Sequence, residues 1–345
     1  MTVGLLAGLL AVGLALFPVP ARAHHHRLQA GGFDGLVLAL APDPADPPTL
    51  YAGVFGQGVF KTTDGGETWT AASEGLPDLS VRALLADAAR AGRVFAGTDA
   101  GIAVSTDGGR SWRSAGLPLR SVRVLVTAPA GTLYAGTEEG LYASDDAGGT
   151  WREENAGLTA KDLRTLARDP GTGMLYAGAF GGLFARAPRA VAWEPAAAGL
   201  PDLHVRALAV DSAGRLYAGT AGAGVFRSED GGRSWQTASR GLAHPVVLTL
   251  LAGPRPGQVL AGTLGGLFGS SDGAGQWRYL GNRATFLSFT SIVRAADGEG
   301  TLYAASGGLI LKSTDGGERW VDTSGTVRRN ASGPAAEDAR ATPSP

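Results

Sequence analysis

The sequence of 345 residues contains no cysteine. Disulfide bonds, a thiolate nucleophile, thiolate metal ligands and a lipid-modified cysteine anchor are therefore excluded. An excess of one charge is also lacking, because 30 basic and 31 acidic side chains leave a formal net charge of −1. The chain as a whole is therefore not an electrostatic attractor for nucleic acid or for an anionic membrane. No phosphate-binding loop is present either, since the glycine-rich stretch 53–58 is not followed by Gly-Lys-Ser/Thr.

A long apolar run occurs at the N-terminus, over residues 3–17. Pro18 and Pro20 end this run, and residues 21–23 form a small-x-small cleavage pattern, Ala-Arg-Ala. These features predict a secretory signal peptide over 1–23 and a periplasmic or secreted protein. The run is short for a membrane span of roughly 20 residues, and an uncleaved anchor is the alternative. After cleavage we expect no stable membrane insertion.

Tryptophan is spaced at nearly constant intervals along the remaining chain. Successive gaps are 43, 39, 42, 42, 42 and 43 residues between the seven tryptophans, which are Trp69, Trp112, Trp151, Trp193, Trp235, Trp277 and Trp320. A period of about 42 residues is typical of one four-stranded propeller blade. The sequence therefore predicts an all-β fold, a seven-bladed β-propeller of four-stranded antiparallel blades over 34–327. An N-terminal linker over 24–33 and a disordered C-terminal tail over 328–345 flank it.

Each repeat contains four short apolar segments separated by Gly, Asp or Pro turns. We predict that they are strands A to D of one blade, with strand A lining the central channel and strand D at the rim. The pattern leaves ring closure open. Blade seven could pack on blade one, or a closing strand could come from residues 28–35 or 321–328.

The connection between strands C and D carries the most specific motif, Thr-Thr-Asp-Gly-Gly-Glu-Thr-Trp over 62–69. Further copies occur at 105–112, 144–151, 228–235, 270–277 and 313–320, whereas residues 186–193 keep only the Trp. A short Asp side chain can accept hydrogen bonds from its own turn, and Gly supplies the backbone angles that the turn needs. We therefore predict a structural role for the carboxylates Asp64, Asp107, Asp146, Asp230, Asp272 and Asp315, and for the tryptophans Trp69, Trp112, Trp151, Trp235, Trp277 and Trp320.

This motif resembles the Asp-box (BNR) repeat of sialidase-like and sortilin-like propellers, over roughly residues 36–326. The resemblance implies a propeller fold, with sialidases and glucan hydrolases as the enzymes of the group. The Arg-Ile-Pro signature of sialidases is absent. Five tyrosines occupy one repeated strand-B slot, which favours packing over a nucleophilic role, and these are Tyr51, Tyr134, Tyr176, Tyr217 and Tyr303. We therefore predict no catalytic residue, no cofactor and no enzymatic activity, with glycoside hydrolysis as the residual alternative.

Arginine recurs at one position of strand A in blades two to five, as Arg82, Arg123, Arg164 and Arg206. Blades one, six and seven have Leu38, Leu248 and Thr290 there. Four guanidinium groups on adjacent inner strands would form an arc in the channel or at its mouth, where they could bind carboxylates or phosphates. His204 and His244 could extend that surface.

Local ion pairing is the structural alternative for the arc. Acids precede strand A at Asp78, Asp162 and Asp202 and follow it at Asp87, Asp169 and Asp211. Under this hypothesis each arginine pairs with a local acid and only satisfies the channel wall.

Two further features have a structural and a functional interpretation. Residues 186–192 of blade four expose two arginines and no acid, so they form either a decayed turn or a docking edge. His24, His25 and His26 would begin the mature chain and are weak metal candidates, against the simpler interpretation of a flexible basic terminus. We expect no metal site elsewhere.

Among relatives without catalytic residues, the sequence resembles single-propeller proteins of the photosystem II assembly-factor and sortilin-like groups. In the assembly-factor group an arginine-rich patch is associated with partner binding. This resemblance implies a non-enzymatic scaffold that binds a protein or an acidic peptide, with Arg82, Arg123, Arg164, Arg206 and His204 as candidate contacts. The alternative is a carbohydrate-active protein, either a lectin-like glycan binder or a sialidase relative. Nothing in the sequence indicates nucleic-acid binding.

Overall fold

The computed structural model describes residues 32–128, 131–201, 203–281 and 288–328. The predicted signal peptide, the candidate metal ligands His24–His26 and most of the predicted tail lie outside these residues. The described residues form 29 strands and no α-helix. Accordingly, no helix in this part of the chain is long and apolar enough to cross a membrane.

The strands are grouped in seven antiparallel sheets of successive segments, which confirms the predicted seven-bladed propeller. Blade one contains β1 (Val37–Pro42), β2 (Leu50–Val54), β3 (Gly58–Thr62) and β4 (Thr68–Ala71). Blade two contains β5 (Val81–Ala86), β6 (Val94–Thr98), β7 (Gly101–Ser105) and β8 (Arg113–Ser114). Blade three contains β9 (Val122–Thr127), β10 (Leu133–Thr137), β11 (Gly140–Ser144) and β12 (Arg152–Glu153).

The other four blades repeat this order. Blade four contains β13 (Leu163–Arg168), β14 (Leu175–Ala179), β15 (Gly182–Arg186) and β16 (Glu194–Pro195). Blade five contains β17 (Val205–Val210), β18 (Leu216–Thr220), β19 (Val225–Ser228) and β20 (Gln236–Thr237). Blade six contains β21 (Val247–Ala252), β22 (Val259–Thr263), β23 (Gly266–Ser270) and β24 (Arg278–Tyr279). Blade seven contains β25 (Phe289–Arg294), β26 (Leu302–Ser306), β27 (Leu309–Ser313) and β28 (Val321–Asp322).

The first strand of each blade lies innermost, as predicted for strand A. Each of these strands contacts the first strand of both neighbouring blades, in the closed order β1, β5, β9, β13, β17, β21, β25 and back to β1. The second and third strands are buried along most of their length, whereas the short fourth strands are largely exposed. The hydrophobic core therefore lies between the blades, and the channel is lined by strand A.

The ring is closed by both ends of the described chain. The last strand, β29 (Thr326–Arg328), pairs in parallel with β4 as a fifth strand of blade one, with Val327 opposite Trp69. At the other end, Phe33 donates its backbone N–H to Gly308 of blade seven at 2.9 Å and stacks edge-on against Trp69. Phe33 is only 2% exposed, so the residue that ends the predicted linker belongs to the core. Of the closures that the sequence left open, packing of blade seven on blade one and a closing strand within 321–328 are both present.

The repeated tryptophans connect neighbouring blades. In six of them the indole N–H donates to a backbone carbonyl of the preceding blade, for example Trp112 to Ala72 at 2.7 Å and Trp235 to Ala196 at 2.8 Å. Trp69 of blade one makes this bond to Thr323 after blade seven, at 2.9 Å. A buried indole needs a partner for its N–H, so each of these six tryptophans fixes the position of its blade against the preceding one. The seventh, Trp320, donates to Gly317 of its own turn at 2.9 Å.

Candidate functional site

The four arginines of the predicted arc each occupy a β-bulge. In blade two Val81 is opposite Thr98 and Ala83 is opposite Gly97, so Arg82 between them has no opposite residue. The same irregularity lies at the second residue of strand A in all seven blades. A bulge bends the strand and re-aims the side chain of the extra residue. This backbone feature, which no sequence pattern revealed, is what turns the arginines into the channel.

The bulged residues of blades two to five line one common cavity of about 230 Å³ in the channel. Leu38 and Leu248, the bulged residues of blades one and six, line the same cavity. In blade seven Thr290 donates its hydroxyl to the carbonyl of Val37 at 2.7 Å. The structure therefore brings the four predicted arginines together on one side of the channel and places apolar or neutral residues on the other.

Arg82, at one end of the arc, is neutralised by a carboxylate of its own blade. Its guanidinium forms a two-point contact with Asp99, in which Nη2 donates to Oδ2 at 2.9 Å. Asp99 also accepts the hydroxyl of Ser121 at 2.7 Å. The hydrogen bond with Asp99 raises the pKa of Arg82, and the same bond lowers the pKa of Asp99. Arg82 therefore has little capacity left for a ligand.

Arg123 and Arg164 in the middle of the arc share one acid, Asp162. Arg123 contacts Asp162 and also Glu138, the latter at 3.0 Å between Nη2 and Oε2. Arg164 contacts the second oxygen of Asp162 at 2.5 Å. These two guanidinium groups are therefore positioned by fixed carboxylates, although the Nε atoms of both have no hydrogen-bond partner among the described residues.

Arg206, at the other end of the arc, has no carboxylate within ion-pair distance in the described part of the chain. Its side chain is exposed to the channel. Desolvation by the surrounding wall lowers the pKa of Arg206, and the positive charge of Arg164 lowers it further. Asp202, one of the acids considered above, lies outside the described residues. Arg206 is therefore the one member of the arc that has no ion-pair partner among the described residues.

His204 lies beside this unpaired arginine. Its ring stacks on Phe180 with centroids 3.9 Å apart and planes 10° from parallel. Both rings, with Arg164 and Arg206, line a smaller cavity of about 140 Å³. The sequence pattern indicated His204 but not Phe180, although only blades one and four have an aromatic residue, Phe55 and Phe180, directly after strand B.

Exposed apolar side chains surround the same mouth of the channel. Strand A begins, and strands B and C are joined, at one common end of every blade. Seven exposed large hydrophobic residues lie in these segments, namely Leu36, Leu79, Leu119 and Leu203 before strand A and Phe55, Phe180 and Leu264 in the B–C turns. We call this end of the ring, with its four arginines, the arginine face. A concentration of exposed apolar residues on one face is typical of an interaction surface.

The hypothesis of local ion pairing is correct in part. Asp162 is an arc partner as predicted, but Asp87, Asp169 and Asp211 lie at the opposite end of strand A and bind other groups there. Asp87 contacts Arg93, Asp169 accepts the hydroxyl of Thr172, and Asp211 contacts Arg215 and Tyr217. Asp78 accepts the backbone N–H of Ser80. The remaining arc partners, Asp99 and Glu138, come from the B–C turns, which only the fold brings next to strand A.

His244 extends the arginine face less than proposed. Its Nδ1 accepts the backbone N–H of Val246 at 3.2 Å, and its ring lies against Gly265 in the B–C turn of blade six. It therefore shapes that turn.

The Asp-box carboxylates are bonded within their own turns. Asp146 accepts the hydroxyl of Ser144 and both the N–H and the hydroxyl of Thr150, all at 2.8 Å. These bonds lower the pKa of Asp146 to about 2, and the bond from the Thr150 N–H contributes most. In Asp230 the bonds from the hydroxyl and N–H of Ser234 have the same effect. Among the described residues no group of His, Asp and Glu is arranged to hold a metal ion.

Seven blades, six bonded box turns and tryptophans that join successive blades define the chain as an Asp-box seven-bladed β-propeller. The model of the DUF6242 β-propeller domain matches residues 54–168, about a third of the chain. A comparison with curated protein sequences finds no match.

Several solved propellers have the same fold. YCF48 bound to D1 peptide is 21% identical with a TM-score of 0.64, and the match covers 83% of this chain and 95% of that protein. An ancestral GH74 enzyme is 17% identical with a TM-score of 0.73, covering 86% of this chain and 47% of the enzyme. The GH74 xyloglucanase from Xanthomonas campestris is 18% identical with a TM-score of 0.71, covering 86% and 55%. The chain thus spans about half the length of these enzymes but nearly all of YCF48.

Proposed function

We propose that the protein is an exported, non-enzymatic scaffold that binds an acidic segment of a partner protein on the arginine face. The observation that carries this proposal is Arg206, a cation without a carboxylate partner among the described residues, beside the exposed ring of Phe180. A glutamate or aspartate of the partner would supply the missing charge, and the surrounding leucines and phenylalanines would cover its apolar neighbours.

The four arginines of the arc differ in how far carboxylates of the protein already neutralise them, and this difference determines where an acidic segment would bind. Arg82 is held by Asp99, and Arg123 and Arg164 are held by Asp162. A partner carboxylate gains most near Arg206, because there it replaces water rather than an existing ion pair. We therefore infer that the acidic residues of the partner bind towards blades four and five. Its apolar residues then extend across the ring towards Phe55.

Two comparisons support this assignment. YCF48, solved with D1 peptide, is a propeller of similar size in which a peptide is bound. Other propellers of this fold are extracellular domains from B. thetaiotaomicron, which agrees with the export that residues 1–23 predict. The first comparison supports a peptide ligand, and the second supports a location outside the cytoplasm.

Peptide binding tests the proposal directly. Fluorescein-labelled peptides with glutamates between leucines and phenylalanines are titrated with the protein, alongside the same peptides with glutamine for glutamate. We expect Arg206→Ala to weaken binding about tenfold, the loss of one charge-assisted contact. The matched change Arg82→Ala removes an arginine that is already paired and should weaken binding less than threefold. Equal losses in the two variants, or equal binding of the glutamine peptides, would refute the assignment.

We propose a carbohydrate-active propeller as the second candidate, because GH74 enzymes share this fold. Fluorogenic sialosides and a glucan panel that includes xyloglucan test it. Turnover above that of a buffer blank would show that the protein is a glycoside hydrolase and would refute the scaffold proposal. We expect no turnover.

A further inference from the structure

A second charged cleft, of about 610 Å³, lies between blades three and four at the other end of the strands. Blade three contributes Tyr134 of β10 and Arg152 of β12 to its wall. Blade four contributes the turn between β13 and β14 and residues 187–190, where the Asp box is missing. Because strand A ends and strand C meets the box turn at this end of the blade, the cleft opens away from the arginine face. We call it the blade-four cleft.

Positive charge dominates the blade-four cleft. Four guanidinium groups line it, Arg152, Arg168, Arg186 and Arg189, and Glu154 is the one acidic side chain among its described lining residues. Glu154 is already engaged, because Arg152 contacts its Oε1 at 3.0 Å and Arg186 contacts its Oε2 at 2.5 Å.

The four arginines are held to different degrees. Arg186 is 7% exposed and lies over the ring of Trp193 at 4.8 Å, so it is a fixed part of the wall. Arg168 and Arg189 have no carboxylate within ion-pair distance in the described ranges. The guanidinium of Arg168 lies beside Gly173, and Arg189 is exposed in a left-handed conformation with φ of 67°. Arg168 and Arg189, which have no ion pair among the described residues, therefore line the cleft beside the buried Arg186.

The corresponding cleft between blades six and seven shows that this charge is not a general feature of the fold. That cleft has a similar volume, about 580 Å³, and its arginines Arg255, Arg278 and Arg294 are matched by Asp272, Glu299 and Glu318. Arg278 and Glu318 form an ion pair there. In blade four, Pro188 stands where other blades have the box Asp, and Arg189 stands at the next position. Arg186 stands where the intact boxes have Ser or Thr, so the loss of the box has removed one carboxylate and added two cations within this turn.

We propose that the blade-four cleft binds a phosphate or sulfate ester carried on a body of about one or two sugar rings. Arginine recognises such oxyanions through its planar fork of donors. Within the part of the chain that the structure describes, Arg168 and Arg189 are the lining arginines with no ion pair. The volume lies within the range of small-molecule sites, which is roughly 300–1,000 Å³. Phosphate and sulfate esters present similar tetrahedral oxyanions. A comparison of their dissociation constants therefore decides which of the two esters the cleft prefers.

Isothermal titration of the full chain with glucose 6-phosphate, glucose 6-sulfate and uncharged glucose tests the proposal. We expect at least one ester to bind with a Kd below about 1 mM, and we expect no binding of glucose. The double variant Arg168→Ala, Arg189→Ala should weaken ester binding at least tenfold. A matched double variant, Arg110→Ala, Arg233→Ala, removes two exposed arginines from intact boxes and should bind the ester like the parent.

Three results would overturn the site, namely no ester with a Kd below about 1 mM, glucose binding equal to that of the esters, or equal losses in the two double variants. If the alanine variant does not fold, as judged by its Tm, Arg168→Gln with Arg189→Gln keeps the side-chain volume and makes the same comparison. Peptide binding on the arginine face should be unchanged in all of these variants, so failure of this site is distinguishable from failure of the proposed function.

Discussion

Blades three and four are neighbours that join their third and fourth strands through connections of equal length, residues 145–151 and 187–193. In blade three the connection is held by the carboxylate of Asp146, which is bonded to Ser144 and Thr150. In blade four Arg186 and Pro188 replace the serine and the aspartate, and a single backbone bond from Ala190 to Ala187 closes the turn at 3.0 Å.

Both blades keep the tryptophan and its bond to the preceding blade, from Trp151 to Ala115 and from Trp193 to Glu154. The comparison shows that the tryptophan is kept where the carboxylate is lost, and we therefore expect the tryptophan to contribute more to the stability of a blade. In blade four Pro188 takes the position of the carboxylate and Arg189 follows it, so this turn adds positive charge to the blade-four cleft.

Among the substitutions considered, replacement of Trp193 in blade four should lower the free energy of unfolding most. Trp193→Ala removes a buried side chain, 2% exposed, and we expect a loss of roughly 3–5 kcal/mol in the free energy of unfolding. Urea unfolding followed by circular dichroism measures it. Trp151→Ala should cost less, because Trp151 is only partly buried. A smaller loss for Trp193→Ala than for Trp151→Ala would contradict the expectation that the more deeply buried tryptophan contributes more to stability.

Replacement of Arg186, the buried arginine of blade four, should cause the second largest loss in the free energy of unfolding. Arg186→Ala leaves Glu154, which is 15% exposed, with Arg152 as its remaining partner, and we expect a loss of about 2 kcal/mol. The double variant Arg186→Met, Glu154→Leu removes both charges and should recover most of this loss in the same urea experiment. If the double variant is as unstable as the single one, the arginine acts through packing on Trp193 rather than through charge.

The box carboxylate of blade three should have a smaller effect. Asp146→Ala removes the side-chain hydrogen bonds that hold one surface turn, and we expect the Tm to fall by roughly 2–4 °C. Asp146→Asn retains an acceptor oxygen and should lower the Tm less. In blade four Pro188→Ala, at the same position of the repeat, removes no hydrogen bond and should lower the Tm least. A larger change for Pro188→Ala than for Asp146→Ala would contradict the assigned role of the box.

The smallest effect concerns pH. The folded-state pKa of Asp146 is about 2, below the value of about 3.9 expected in an unfolded chain. Its contribution to stability is therefore complete above pH 4 and is lost as the pH falls towards 2. We expect the Tm of Asp146→Asn to fall less steeply than that of the parent between these values. The difference is small because the boxes of other blades, such as that of Asp230, titrate in the same range. Parallel Tm curves would show that Asp146 contributes nothing through its charge.

Much of the fold could be predicted because its determinants repeat. The tryptophan spacing gave the number of blades, and the apolar segments gave the strand order, since each strand is a local pattern bounded by its own turns. Ring closure could not be predicted, because β29 pairs with β4 across the whole length of the chain and resembles no repeat. Phe33 was assigned to a linker for the same reason, as nothing local shows that it packs on Trp69.

The candidate site was predictable in composition but not in detail. Its four arginines share one repeat position, and the sequence therefore placed them on neighbouring inner strands. Which of them is neutralised depends on acids in the B–C turns, such as Asp99 for Arg82. The exposed Phe180 beside His204 likewise became visible only once these turns lay next to strand A.

The sequence by itself determined the architecture, the box turns and the inner position of the arginines. Each of these follows from backbone propensity and side-chain periodicity within about 42 residues. The tertiary structure decided the bulges that turn the arginines into the channel, the pairing that leaves Arg206 without a carboxylate in the described chain, and the blade-four cleft between two repeats. The physical reason is that charge compensation depends on distances between residues far apart in the chain. Those distances are set only when the blades pack against one another.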